Sequence, residues 1–365
     1  MARFPYMTYA RSEGLAAPYC LTQSGMPCPE PSFLGGLEVE LEHPAISAQP
    51  RLEAQLAELL GVAPERVLVT PGASAAMALC AQRWFRPGTR VACEVPSYEP
   101  VRALPALHGA EVLLLERRME EGWVLPPARL VQRLAEGQGP GHAFVTNPNN
   151  PTGAKNSAED MAALAAVCER AGGVLVSCEV YMEFAPNRER VHAFALAPNA
   201  VSIGSFTKAY GLGGLRVGWI VLGEGLAAAG ERERLLDESF LMWVDPPTSS
   251  VRAASRALEN LELLLAPARR FEAECKPHLA RFLDESDAVE GVCPTLGLSA
   301  FPRLVGVDDT LDFARWLQEE HEVGVVPGEY FGLRGHARVG YGLPEATLVE
   351  GLARLERGVR EWRAR

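Results

Sequence analysis

Ser205-Phe206-Thr207-Lys208-Ala209-Tyr210-Gly211-Leu212-Gly213-Gly214-Leu215-Arg216-Val217-Gly218-Trp219 follows the apolar run Ala200-Val201-Ser202-Ile203-Gly204 and leads into Gly218-Trp219-Ile220-Val221-Leu222. A lysine stands there among small and aromatic residues, with a hydroxyl three positions before it and an arginine eight positions after. An amine that forms a Schiff base must be neutral part of the time, so it needs a crowded, partly desolvated setting. A bound phosphate needs hydroxyl donors and a guanidinium that grips two oxygens at once. This one segment supplies all three groups. Its glycines at 211, 213 and 214 form no dinucleotide fingerprint, since no acidic residue follows at the required distance.

Working outward, short apolar runs alternate with helical periodicity. Val67-Leu68-Val69-Thr70, Arg90-Val91-Ala92-Cys93, Glu111-Val112-Leu113-Leu114-Leu115, Ala143-Phe144-Val145-Thr146 and Gly173-Val174-Leu175-Val176-Ser177 read as strands. Between them the spacing predicts helices over 73–84, 126–136 and 158–171, with an earlier one over 50–62. Unbroken apolar strands alternating with helices predict an α/β fold, a mostly parallel sheet with helices on both faces. Ligands in such sheets sit beyond the carboxyl ends of the strands. After about residue 255 the pattern changes to a long helical stretch over 250–281, short extended segments and a closing amphipathic helix from 345 to about 362. This predicts two domains. A large one spans 46–255, and a smaller α+β domain combines 1–45 with 256–365.

The chain has 365 residues, 48% hydrophobic and 22% charged, enough to bury a large core. A net charge of −11 with dispersed basic residues argues against nucleic acid or an anionic membrane as partner. Eight cysteines show neither a CxxC pair nor Cys/His metal spacing, and no apolar run approaches membrane-spanning length. A reducing cytoplasm is the expected compartment.

Further chemistry-bearing residues fall at the strand ends. Thr70-Pro71-Gly72-Ala73-Ser74 opens a helix, where free amides and a glycine make an anion site. Glu94-Val95-Pro96-Ser97-Tyr98 offers an aromatic face, and Asn147-Pro148-Asn149-Asn150-Pro151-Thr152-Gly153 offers the Asn150 amide on a proline-fixed turn. Cys178-Glu179-Val180-Tyr181 closes another strand, and His336-Ala337-Arg338-Val339-Gly340 carries an arginine near the C-terminus.

Taken in order, these segments resemble the class I/II aminotransferase family of fold-type I pyridoxal-phosphate (PLP) enzymes, over nearly the whole chain. The resemblance implies PLP as cofactor, with Lys208 as the Schiff-base lysine and catalytic base. It implies that Gly72, Ala73, Ser74, Ser205 and Arg216 hold the phosphate, that Tyr98 stacks on the ring, and that Asn150 and Tyr181 reach its phenolic oxygen. Arg338 would bind the substrate carboxylate, with the backbone of Ser24 and Gly25 lining the pocket. His43 would take the place of a tyrosine that reaches the neighbouring subunit's phosphate, and a homodimer is implied. Trp243 and Tyr6 are further candidates for the pocket wall. The family has aspartate where this chain has Cys178. A thiol is a weak donor that cannot hold a pyridinium as a carboxylate does, and Glu179, one residue on, faces the other way along a strand.

The expected activity is PLP-dependent aminotransfer between an amino acid and a keto acid, both small-molecule partners. The alternative is a non-transaminating PLP enzyme on the same fold, performing β/γ-elimination, replacement or a specialised biosynthetic step because of Cys178. A PLP-binding protein without turnover is a third class.

Overall fold

The computed structural model describes residues 4–11, 17–30, 45–135 and 137–365. Its centre is a seven-stranded sheet in the order Val67–Thr70, Gly218–Leu222, Ala200–Ser205, Leu175–Cys178, Gly141–Thr146, Arg90–Val95, Glu111–Glu116. Gly218–Leu222 runs antiparallel to both neighbours, and the other pairings are parallel. The carboxyl ends of the other six strands therefore share one edge. Register completes the alignment: Thr70 and Ser205 both pair with Gly218, and Thr146 pairs with Cys178.

The runs are unbroken because both faces are covered. Val91, Cys93, Phe144, Val176, Ile203 and Ile220 pack against the helix Ala73–Trp84, with Met77, Leu79 and Cys80. Ala92, Ala143, Val145 and Leu175 face the opposite layer, where Leu130, Leu134, Leu164 and Ala165 come from Pro127–Ala135 and Ala158–Arg170. Truncating a fully buried side chain such as Phe144 would cost about 3–5 kcal/mol. Alternate residues thus serve opposite layers, as the period of a strand demands.

The expected helix over 250–281 is two helices, Thr248–Glu259 and Leu261–Glu285. Asn260 divides them at φ −125°, ψ 30°, its side-chain amide donating to Arg256 O. Short polar side chains that bond their own backbone favour helix ends over interiors. Beyond it, Thr310–His321 and Glu345–Arg363 pack with short strands, of which Ala337–Gly340 is paired on both sides. The N-terminal Tyr19–Cys20 returns to this region, parallel to Val323–Gly324.

Candidate active site

At the edge shared by Thr70, Gly218 and Ser205 lies an anion-binding cup. Gly72 caps the helix Ala73–Trp84 at φ 83°, a left-handed-side conformation that glycine adopts freely, and no side chain caps the first turn. The amides of Ala73 and Ser74 are therefore available to a ligand. A Cβ on Gly72 would fall 2.7 Å from Arg216 Nη2, so the guanidinium lies directly on this glycine. A Cβ on Gly218 would fall 2.6 Å from Ala73 N, which explains why the strand starts with glycine. Arg216 has no carboxylate partner among the described residues; its Nη1 donates to Gly213 O at 3.4 Å. Ser205 Oγ lies 2.7 Å from Thr207 Oγ1 and accepts from Thr207 N at 3.1 Å. The structure thus brings Gly72, Ala73, Ser74, Ser205 and Arg216 together, and adds Thr207.

The floor of the site comes from the middle strands. Cys178 is buried, and burial pushes its thiol up to about 12, so it stays neutral. Tyr181 is buried too, its hydroxyl meeting no partner of good hydrogen-bond geometry. Burial raises its pKa, while Arg338 and the nearby Ser24 hydroxyl oppose the rise. Tyr98 is partly buried, edge-on to Tyr6 with centroids 5.8 Å apart. Asn150 Oδ1 accepts from Arg338 Nη1 at 3.1 Å, which leaves its NH2 as a donor for another group.

The Asn147–Asn150 turn is held from beneath by a carboxylate that the sequence reading did not single out. Glu94 accepts from Thr146 N at 2.7 Å and Asn149 Nδ2 at 2.9 Å, and pairs with Arg117 at 2.7 Å, all buried. A charged residue next to the end of the strand Arg90–Val95, after the apolar run Val91–Cys93, was the available signal. Glu179 faces the other layer as expected: its carboxylate meets His192 Nδ1 at 2.8 Å, Ala193 N at 2.9 Å and Ser202 Oγ at 2.9 Å.

Lys208 projects into a cavity of about 280 Å³, lined among others by Tyr6, Thr22, Ser24, Met26 and Arg338. Burial lowers the lysine pKa, with Arg338 and Arg216 adding to the effect and Tyr6 and Cys178 opposing it. Its Nζ donates to Ser24 Oγ at 3.1 Å and lies 5.7 Å from the Tyr181 ring centre. Gly25 is the close neighbour of the lysine stem, since a Cβ there would meet Lys208 Cδ at 3.2 Å. Arg338 is 1% exposed, with Nη2 donating to Thr22 O at 2.8 Å and to Tyr6 Oη at 3.1 Å. Its Nε is buried without a partner, and no carboxylate pairs with it among the described residues. Tyr6 therefore lines the cavity. Trp243 does not; it packs, partly buried, against the hydrophobic cluster on the Ala73–Trp84 side of the sheet. His43 lies outside the described residues.

The sequence model of the family "Aminotransferase class I and II" matches residues 40–355. The chain belongs to that family. It is 29% identical over 339 residues to the capreomycidine synthase of Streptomyces vinaceus, covering 89% of this chain and 83% of that protein. A PLP-dependent aminotransferase from Streptococcus suis superposes with a TM-score of 0.88 at 24% identity, covering 99% and 98% of the two chains. The PLP-dependent cyclase OrfR superposes with a TM-score of 0.81 at 25% identity, covering 99% and 98%.

The protein is thus a PLP-dependent aminotransferase or aminotransferase-like enzyme of fold type I, and its cofactor is pyridoxal phosphate. The residues present fit that group at the uncapped helix with its guanidinium, at the unpartnered Tyr181 hydroxyl and at the Lys208 amine. The neutral thiol of Cys178 does not supply the carboxylate that the family places under the pyridine nitrogen. No helix among the described residues is long and apolar enough to cross a membrane.

Proposed function

We propose that the enzyme takes a free amino acid, with Lys208 carrying the cofactor and Arg338 anchoring the substrate carboxylate, and passes its amino group to a keto acid. The buried Arg338 carries this reading. A guanidinium taken out of water without an internal carboxylate costs several kcal/mol by order of magnitude, and a substrate carboxylate entering the Lys208 cavity offsets that cost. Bound PLP supplies an aldehyde that condenses with the amino group and a ring that accepts an electron pair. Lys208 Nζ, whose pKa burial lowers from the usual lysine value, takes the proton from the substrate α-carbon. Gly72, Ala73, Ser74, Ser205 and Arg216 hold the phosphate, Tyr98 offers a ring face, and Asn150 and Tyr181 donate to the phenolic oxygen.

A second reading, elimination or replacement at the β- or γ-carbon, is favoured by Cys178. A neutral thiol cannot stabilise a protonated ring nitrogen, while Glu179 and Glu94 are both committed to other partners. The names of two similar proteins, a synthase and a cyclase, point the same way. Mixing the purified protein with single amino acids and no keto acid separates the readings. Pyridoxamine phosphate formation supports aminotransfer. Its absence, with the cofactor still fixed on Lys208 by borohydride, supports the second. Failure of Lys208 to be labelled removes both.

We also propose the domain division 46–255 against 1–45 with 256–365, a cytoplasmic location in keeping with eight free cysteines, and a homodimer. The exposed apolar cluster Phe240, Leu241, Met242 and Val244 is the surface such a dimer would cover. Light scattering on Leu241→Glu, expected to be monomeric where the native chain is dimeric, tests it.

A further inference from the structure

One short segment touches both ends of the active site. Leu21 O accepts from Gly340 N at 2.6 Å, Thr22 O accepts from Arg338 Nη2 at 2.8 Å, and Met26 N donates to Lys208 O at 2.8 Å. Gly25 packs on the lysine stem so closely that a Cβ would stand 3.3 Å from Lys208 Cα and 3.4 Å from its carbonyl oxygen. Ser24 sits in the middle of these anchors, 6% exposed, and its Oγ accepts from Lys208 Nζ at 3.1 Å. The buried Tyr181 hydroxyl, which has no hydrogen-bond partner of good geometry, lies beside it.

We propose that Ser24 is a positioning residue for Lys208: whenever the amine is not covalently occupied, the Ser24 hydroxyl holds Nζ beside Tyr181 and aims it into the cavity without supplying a negative charge. The inference rests on Lys208 being the cofactor-bearing lysine. A freed lysine side chain has four rotatable bonds, and fixing its end raises the chance of attack in the right direction. The nature of the acceptor matters as much as its place. An ionised carboxylate at position 24 would bind the ammonium form and keep the amine protonated, whereas a hydroxyl accepts from the ammonium or donates to the neutral amine. The other groups acting on Nζ are Tyr6 from the helix Pro5–Arg11, Arg338 from Ala337–Gly340, Cys178 from Leu175–Cys178 and Arg216 from the turn after Gly213–Leu215. None of these is a carboxylate, so Ser24 keeps the amine directed within a site that otherwise favours its neutral form.

The test is competitive acetylation of Lys208 over a pH series, on the full chain stripped of cofactor, read by peptide mass. A second readout is the rate at which added pyridoxal phosphate becomes borohydride-fixable on Lys208. Ser24→Ala is expected to lower the acetylation midpoint by about half to one pH unit, because an acceptor for the ammonium is lost. It should also slow cofactor capture by about tenfold. Ser24→Thr keeps the hydroxyl and should restore both values, while Ser24→Asp should raise the midpoint. Native-like midpoint and capture in Ser24→Ala overturn the proposal, as does a threonine variant that folds and behaves like alanine. A chain that never captures the cofactor, yet whose midpoint still follows residue 24, overturns the cofactor reading and leaves the Ser24 contact standing.

Discussion

Replacing Arg338 by methionine keeps much of the side-chain bulk and removes the guanidinium. Three of the five guanidinium N–H groups are held by Asn150, Tyr6 and Thr22, which leaves Nε and one further donor for a ligand. At 1% exposure the interaction is poorly screened by water. Breaking a buried charge pair of this kind costs about 2–5 kcal/mol, and the partial commitment of the donors places this one in the lower half of that range. A loss of about 2–3.5 kcal/mol corresponds to a fall of about 30- to 400-fold in kcat/KM. The assay compares an accepted amino acid with the matching amine that lacks the carboxylate. The native enzyme should prefer the amino acid by that factor, and Arg338→Met should erase the preference while leaving the amine nearly unchanged. Equal losses on both compounds, or a preference that survives the substitution, would refute the role of Arg338 as carboxylate anchor.

Gly72→Ala would force a Cβ to within 2.7 Å of Arg216 Nη2 at φ 83°. Loss of one charge-assisted contact plus backbone strain, about 2–4 kcal/mol, should weaken pyridoxal phosphate binding about 30- to 1,000-fold by fluorescence titration. With its thiol held at about 12, Cys178 should resist iodoacetamide at pH 8 while the exposed Cys28 and Cys293 react, as peptide mapping would show. Cys178→Asp should speed conversion of the cofactor to its pyridoxamine form; a slower conversion would count against the thiol as the limiting group. His142 is buried in Gly141–Thr146, and burial lowers its pKa to about 4. The unfolded chain binds a proton near pH ~6.5 that the folded chain does not, so stability should fall as pH drops from there towards the folded value. The expected loss between pH 7 and pH 5 is roughly 2 kcal/mol, seen as a shift of the urea midpoint that His142→Leu should abolish.

The strands were legible because both faces of the sheet are covered, so Val67–Thr70, Gly141–Thr146 and Gly218–Leu222 read as apolar without alternation. Several site residues were legible because they stand at the ends of those runs and belong to compact motifs. Glu94 and Arg117 were missed because a buried ion pair between residues 23 apart leaves no local periodic mark. The division of a long helical pattern at Asn260 was missed because apolar spacing continues through it, and the break is decided by one residue's backbone bonding.

The alternation of strand and helix, the lysine segment between two apolar runs, and the thiol where a carboxylate was expected are all written in the order of the residues. These follow from composition and spacing along a few neighbouring residues. Folding was needed to bury Arg338 without a carboxylate among the described residues, to share its guanidinium between Tyr6 and Thr22, and to bring Ser24 to Lys208 across 184 positions of chain. Such contacts arise where separate elements pack to exclude water, and the free energy of burying a charge or freeing an amine depends on everything around it.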